Sequence, residues 1–232
     1  MNRDERRTKL KSELQPLIGA LMKSPVILSI IDGKASSEFV WHVFMQYRFY
    51  CARFPQFLGA LLARTAEPIA RQPLVENLWE ESGSGDSAKS HVAMLDTFLL
   101  AWARAIGKSQ SEFESWLHPR EAVDSFVTEV LALLNSESLP FAFGFLGPGT
   151  EEVTTEQYTR LLEGLRGYHL VEESDLEFFA AHIIADIKHA DTFWNALEQV
   201  SKSESDWNDV AAGAKKSLER ETMFWNELAG LK

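Results

Sequence analysis

The stretch AAHIIADIKHADTFW, residues 180–194, sets His182, Asp186 and His189 four and three positions apart in an otherwise apolar run. On an α-helix those spacings put all three side chains on one stripe. Two imidazoles and a carboxylate suit iron, manganese or zinc, and apolar surroundings make such groups costly unless something binds them. The stripe therefore predicts a helix and a metal-binding face together.

Outward from this stretch the same helical period recurs, and no alternating Val/Ile/Thr-rich run makes a strand. The expected fold class is all-α, in one domain spanning residues 1–232. The pattern predicts helices over Arg3 to Met22 and Ser37 to Ala52, with a break at Phe54-Pro55 and a further segment from Pro55 to Thr65. VENLWEE belongs to another helix that stops at Gly83-Ser84-Gly85, after which Asp86 or Ser87 caps a helix to Ile106. Pro119 opens a helix to Leu134, Thr154 and Gln157 have capping-box spacing, and so do Ser174 and Glu177 ahead of the metal stripe. A last amphipathic helix covers Trp207 to Leu228.

Composition narrows the function. A formal charge of −11 lacks the clustered Lys and Arg that phosphate backbones need, so no nucleic-acid partner is expected. No apolar run reaches membrane-spanning length and the charged N-terminus MNRDERRTKLKSEL has no signal-peptide core, so no membrane partner is expected and the expected compartment is the cytoplasm. Cys51 is the single cysteine, which excludes a thiolate cage built by this chain alone.

Three ligands on one helix leave an iron undercoordinated. His91 is the best remaining imidazole, because Leu95, Phe98 and Trp102 follow it at i+4, i+7 and i+11 on one stripe. His42, His118 and His169 lie in weaker contexts. Among carboxylates, Glu80 or Glu81 ends a helical run, and Glu151 or Glu152 follows the apolar, glycine-rich LPFAFGFLGPGT.

The order E…H…E…HxxxDxxH over a helical chain of this size resembles the haem-oxygenase-like di-iron oxidases, the family that includes the chlamydial death-domain-associating protein. Its NLxxE pattern fits Asn77-Leu78-Trp79-Glu80-Glu81 and selects Glu81. A carboxylate seven residues before an aromatic fits Glu151 and Tyr158, although Thr155 stands where many members have proline. The resemblance implies a bundle of about seven helices holding two Fe ions through Glu81, His91, Glu151, His182, Asp186 and His189. It divides them into Glu81 and His91 on one ion and His182 and His189 on the other, with Glu151 and Asp186 supplying carboxylate oxygens. O2 is then the co-substrate and Mn a substitute metal, with Tyr47, Tyr50 and Phe54 lining a substrate pocket.

The activity implied is oxidation or oxygenation of a small molecule, an amino acid or amino-acid derivative foremost and a fatty acid as an alternative. C–C cleavage, desaturation or N-oxygenation are the outcomes, and an external electron donor and a second copy of the chain are the other partners considered. Members that consume their own side chain to make an aminobenzoate carry a tyrosine where this chain has Ile27. Three rivals accompany this reading. A thiaminase-like hydrolase would need Cys51 as nucleophile, a metal-free quinone-cofactor synthase would need a basic cavity, and a non-enzymatic protein-binding domain gives no reason for six metal-type ligands.

Overall fold

Serine and proline set most helix starts in residues 1–231, which the computed structural model describes. Eleven α-helical segments result, with no strand among the described residues: α1 (Arg3–Met22), α2 (Pro25–Ile31), α3 (Ser37–Arg64), α4 (Pro68–Glu81), α5 (His91–Ala105), α6 (Gln110–Ser115), α7 (Glu121–Ser136), α8 (Leu139–Leu146), α9 (Glu152–Arg166), α10 (Glu177–Val200) and α11 (Glu204–Leu228). The all-α expectation holds, while the expected seven helices become eleven. Three of the extra ones, α2, α6 and α8, span only 7, 6 and 8 residues, too short for periodicity to register.

The expected break at Pro55 is absent, and α3 runs 28 residues through it. An internal proline costs about 3 kcal/mol. Here Cys51, Phe54, Phe57, Leu58 and Leu61 continue one buried face across it, and burying four or five such side chains offsets that cost. Two expected capping boxes also fail. Thr154 lies inside α9, which continues directly from a π-helical turn, Gly147–Glu151. Ser174 lies in a 3₁₀ turn, Glu173–Leu176, and Leu176 occupies the N-cap of α10. Asp86 caps only a 3₁₀ turn, Ser87–Lys89, whereas the Ser90 hydroxyl caps α5. No single described helix is long and apolar enough to cross a membrane.

α10 packs against α4, α5, α8, α9 and the π turn, so its polar stripe faces protein rather than water. Around it the core is aromatic, with Trp41, Trp102, Trp194 and Trp225 fully buried. Between α4 and α5 the chain reverses through Gly83 at φ +85°, where a Cβ would meet Ser90 N at 2.6 Å and Lys89 C at 2.9 Å. That reversal brings the last residue of α4, Glu81, beside the first residue of α5, His91.

Candidate metal centre

The six expected ligands come together as two buried trios, Glu81 with His91 and His182, and Glu151 with Asp186 and His189. Within each trio one ligand atom per residue lies within 4.8 Å of the others. This grouping differs from the implied division: His182 turns toward His91, their rings 4.1 Å apart, while His189 joins the two carboxylates. One helical stripe reaches both positions because His182 and His189 are seven residues, nearly two turns, apart on α10.

Each imidazole is oriented so that one nitrogen faces its trio. His182 Nδ1 donates to the Phe178 carbonyl at 2.6 Å, which leaves Nε2 as the lone-pair nitrogen. His189 Nε2 donates to Glu80 Oε2 at 2.7 Å, so its Nδ1 points between Glu151 Oε2 at 3.3 Å and Asp186 Oδ1 at 3.4 Å. His91 Nδ1 stands 2.8 Å from Glu81 Oε1 without hydrogen-bond geometry. Asn77 Nδ2 donates to Glu151 Oε1 at 2.5 Å and aims that carboxylate.

The donor set fits a cation. His91 Nδ1, His189 Nδ1 and Asp186 Oδ2 are buried without hydrogen-bond partners, and buried polar atoms are rarely left so. Burial first, and then the His91 charge, push the His182 pKa well below its usual range, giving the neutral imidazole a metal requires. Burial also pushes Asp186 well up, reinforced by Glu151. At His189 burial works in the opposite sense and is overridden by Asp186 and Glu151, so the pKa reaches about 11. Without a metal the positive charge between those carboxylates is a proton's, and a metal ion would displace it.

Glu80 and Glu81 thus do different work, one orienting His189 from outside and one facing the first trio. The outer carboxylate–histidine pair fixes tautomer and ring position for a metal ligand. Glu80→Ala is expected to weaken divalent metal affinity by about 10- to 100-fold with the fold intact, read by chelator competition against circular dichroism. Unchanged affinity would show that Glu80 is only a surface partner of Lys188, which it also contacts at 3.0 Å.

A partly open cavity, with about 440 Å³ of space between its lining atoms, adjoins both trios. Tyr47, Tyr50 and Phe54 line it as expected, together with Tyr158, Phe178 and Glu221. Tyr158 packs edge-on against the His182 ring, centroids 5.1 Å apart, and shares a 2.7 Å hydroxyl hydrogen bond with Tyr47. Glu221 is 8% exposed and its pKa rises to about 7, chiefly through burial, against hydrogen bonding from Gln157 and Trp225. Because the folded value exceeds the ordinary carboxyl value, the cost to stability is absent below about pH 4 and fully felt above about pH 7.

Glu221 is the residue sequence reasoning missed, together with the roles of Glu80, weighed only as an alternative ligand, and Tyr158, used only as a spacing landmark. Glu221 had a signal, since it interrupts the apolar stripe Val210, Ala214, Leu218, Trp225 of α11.

Comparison with known proteins places this architecture first by fold. A protein of Shewanella denitrificans OS217, described as a domain of unknown function with a haem-oxygenase-like fold, superposes with a TM-score of 0.78 at 19% identity, covering 96% of this chain and 91% of that one. Residues 42–222 match the family of iron-containing redox enzymes, and the chain belongs to that family. Among its curated relatives are the 4-aminobenzoate synthases of Chlamydia pneumoniae, 26% identical over 199 residues (85% of this chain, 83% of that protein), and Chlamydia muridarum (strain MoPn / Nigg), 22% identical over 186 residues (80% and 75%).

Proposed function

We propose that the chain is a non-haem di-iron oxidase or oxygenase that uses O2 to oxidise a small molecule held in the cavity beside the two trios. The observation that carries this reading is the pair of buried trios, each presenting a histidine nitrogen with no other partner. Glu81, His91 and His182 would hold one ferrous ion, and Glu151, Asp186 and His189 the other, with Mn as a substitute. Iron bound there supplies the redox chemistry that activates O2.

The residues supply the rest. Three carboxylates against two divalent ions leave about one positive charge in a dry interior, which favours an anionic group on the substrate. Phe54 and Phe178 give the cavity apolar wall surface. The Tyr47–Tyr158 hydroxyl pair holds a proton beside His182, and burial keeps both phenols protonated at neutral pH. An amino acid or amino-acid derivative is the substrate class proposed, with an external electron donor for repeated turnover.

The self-consuming chemistry that an aminobenzoate synthase name suggests is not carried over, since Ile27 offers no oxidisable ring and lies fully buried in α2. The thiaminase-like reading needs a reactive Cys51. Burial, and then the Glu81 charge, push that thiol well up and keep it neutral.

Oxygen uptake tests the proposal. Chain loaded anaerobically with Fe(II) is expected to consume O2 in a burst when mixed with aerated buffer, a burst that His182→Ala abolishes. Cys51→Ser should leave it within about two-fold, because a neutral buried thiol takes no part. A burst lost with Cys51→Ser and kept in His182→Ala would overturn the di-iron reading.

A further inference from the structure

Glu221 has no part in the two trios, yet its carboxyl is built into the wall of the same cavity. No Lys, Arg or His pairs with it among the described residues. Its partners are neutral donors, Gln157 and, at 3.4 Å, Trp225 Nε1. A buried carboxylate without a cation is expensive, and neutral donors offset the expense only in part. Burial accordingly lifts its pKa to about 7, where a cation arriving nearby would keep it ionised.

Its position is also particular. Behind the first space lies a packed apolar wall of Phe57, Phe126, Val130, Phe145 and Leu146. Tyr50, Thr150 and Glu221 touch both, so Glu221 stands between the metal-ligand trios and that apolar wall. Thr150 is already engaged, through Oγ1, with the Phe145 carbonyl and with Ser217. After burial, the charge of Glu221 acts on the Tyr50 hydroxyl together with those of Glu151 and Glu81, which ties all three carboxylates to one space.

We infer that Glu221 binds the ammonium group of a zwitterionic amino acid whose carboxylate lies toward the two trios and whose apolar side chain lies against the apolar side chains lining the same cavity. The inference rests on the di-iron reading for the carboxylate end and on Glu221 alone for the ammonium end. A zwitterion satisfies both charges at once: its carboxylate meets the residual positive charge of the metal pair, and its ammonium meets the one unpaired carboxylate in the wall. A fatty acid would satisfy the first and leave Glu221 buried alone. A simple amine would do the reverse.

Three probes with the same carbon chain separate these ends: L-norleucine, n-pentylamine, which lacks the carboxylate, and hexanoate, which lacks the amine. Isothermal titration on protein loaded anaerobically with Fe(II) is expected to show L-norleucine binding at least about ten-fold tighter than either of the others. Glu221→Gln, which preserves volume, should weaken L-norleucine and n-pentylamine by about ten-fold or more and leave hexanoate within about three-fold. The wild-type ranking requires no variant and so survives any folding defect in Glu221→Gln. Equal affinities in wild type and variant, equal losses for all three probes, or no binding of any probe to wild type would overturn the inference. Failure of the metal reading looks different: the chain takes up no iron, while n-pentylamine still binds metal-free protein through Glu221.

Discussion

Loaded anaerobically with Fe(II) and desalted, the chain is expected to retain about two irons, and His182→Ala and His189→Ala about one each. The expectation follows from which nitrogen each histidine offers. His182 presents Nε2 to Glu81 and His91 because Phe178 holds its Nδ1, and His189 presents Nδ1 to Glu151 and Asp186 because Glu80 holds its Nε2. Removing either imidazole takes one of three protein ligands from one position and none from the other. The loss should exceed the 10- to 100-fold typical of an outer partner such as Glu80. Thermal melting gives a second measure, since a ligand at 100 times its Kd stabilises the folded state by about 2.7 kcal/mol per site. For a chain of this length that is a rise of about 5–10 °C for each ion bound, so the total rise in either variant is half that of the wild type. Iron near zero in the wild type would overturn the metal reading, and loss of both ions from either variant would overturn the division into two trios.

What the sequence discloses and what it hides follow the same physics. His182, Asp186 and His189 are legible because helical spacing converts sequence distance into a shared face, and His91 is legible through Leu95, Phe98 and Trp102 on one stripe, all buried. The partition of ligands is not legible, since it depends on which ring nitrogen is occupied from outside. Phe178 O and Glu80 decide that, and neither forms part of a ligand motif. Glu151 is harder still. It sits in a π turn that runs straight into α9, so the capping-box reading of Thr154, which lies inside that helix, fails. Pro55 misleads in the opposite direction, because a local rule about proline yields to the buried stripe of a 28-residue helix that the rule does not see. Glu80 and Glu81 face different sides of the same helix end: Glu81 joins the first trio and Glu80 holds His189 from outside.

The largest expected effect on the fold comes from two glycines that local propensity would replace. Gly144 in α8 and Gly213 in α11 are helical, and alanine is about 1 kcal/mol better than glycine in a helix interior. Packing reverses the sign. A Cβ on Gly144 would sit 2.7 Å from Val210 Cα and 2.8 Å from its carbonyl carbon, and one on Gly213 would sit 2.9 Å from the Phe141 carbonyl carbon and 3.0 Å from Phe145 N. These are backbone atoms with no rotamer to yield, so the helices themselves must separate, and overpacking of this kind costs about 1–3 kcal/mol or more. Gly144→Ala is therefore expected to lower the melting temperature by about 5–10 °C, and the double variant with Gly213→Ala by more. The site should feel this unequally. α11 carries Ser217 and Glu221, and Ser217 bonds Thr150 at 2.9 Å, next to Glu151, whereas Glu81, His91 and His182 stand on α4, α5 and α10. Separation of α8 from α11 should thus weaken the iron held by Glu151, Asp186 and His189 before the iron held by the other trio. Chelator titration of Gly144→Ala reads the order of release, and an unshifted melting temperature with both irons retained would mean that α8 and α11 are not in van der Waals contact at these glycines.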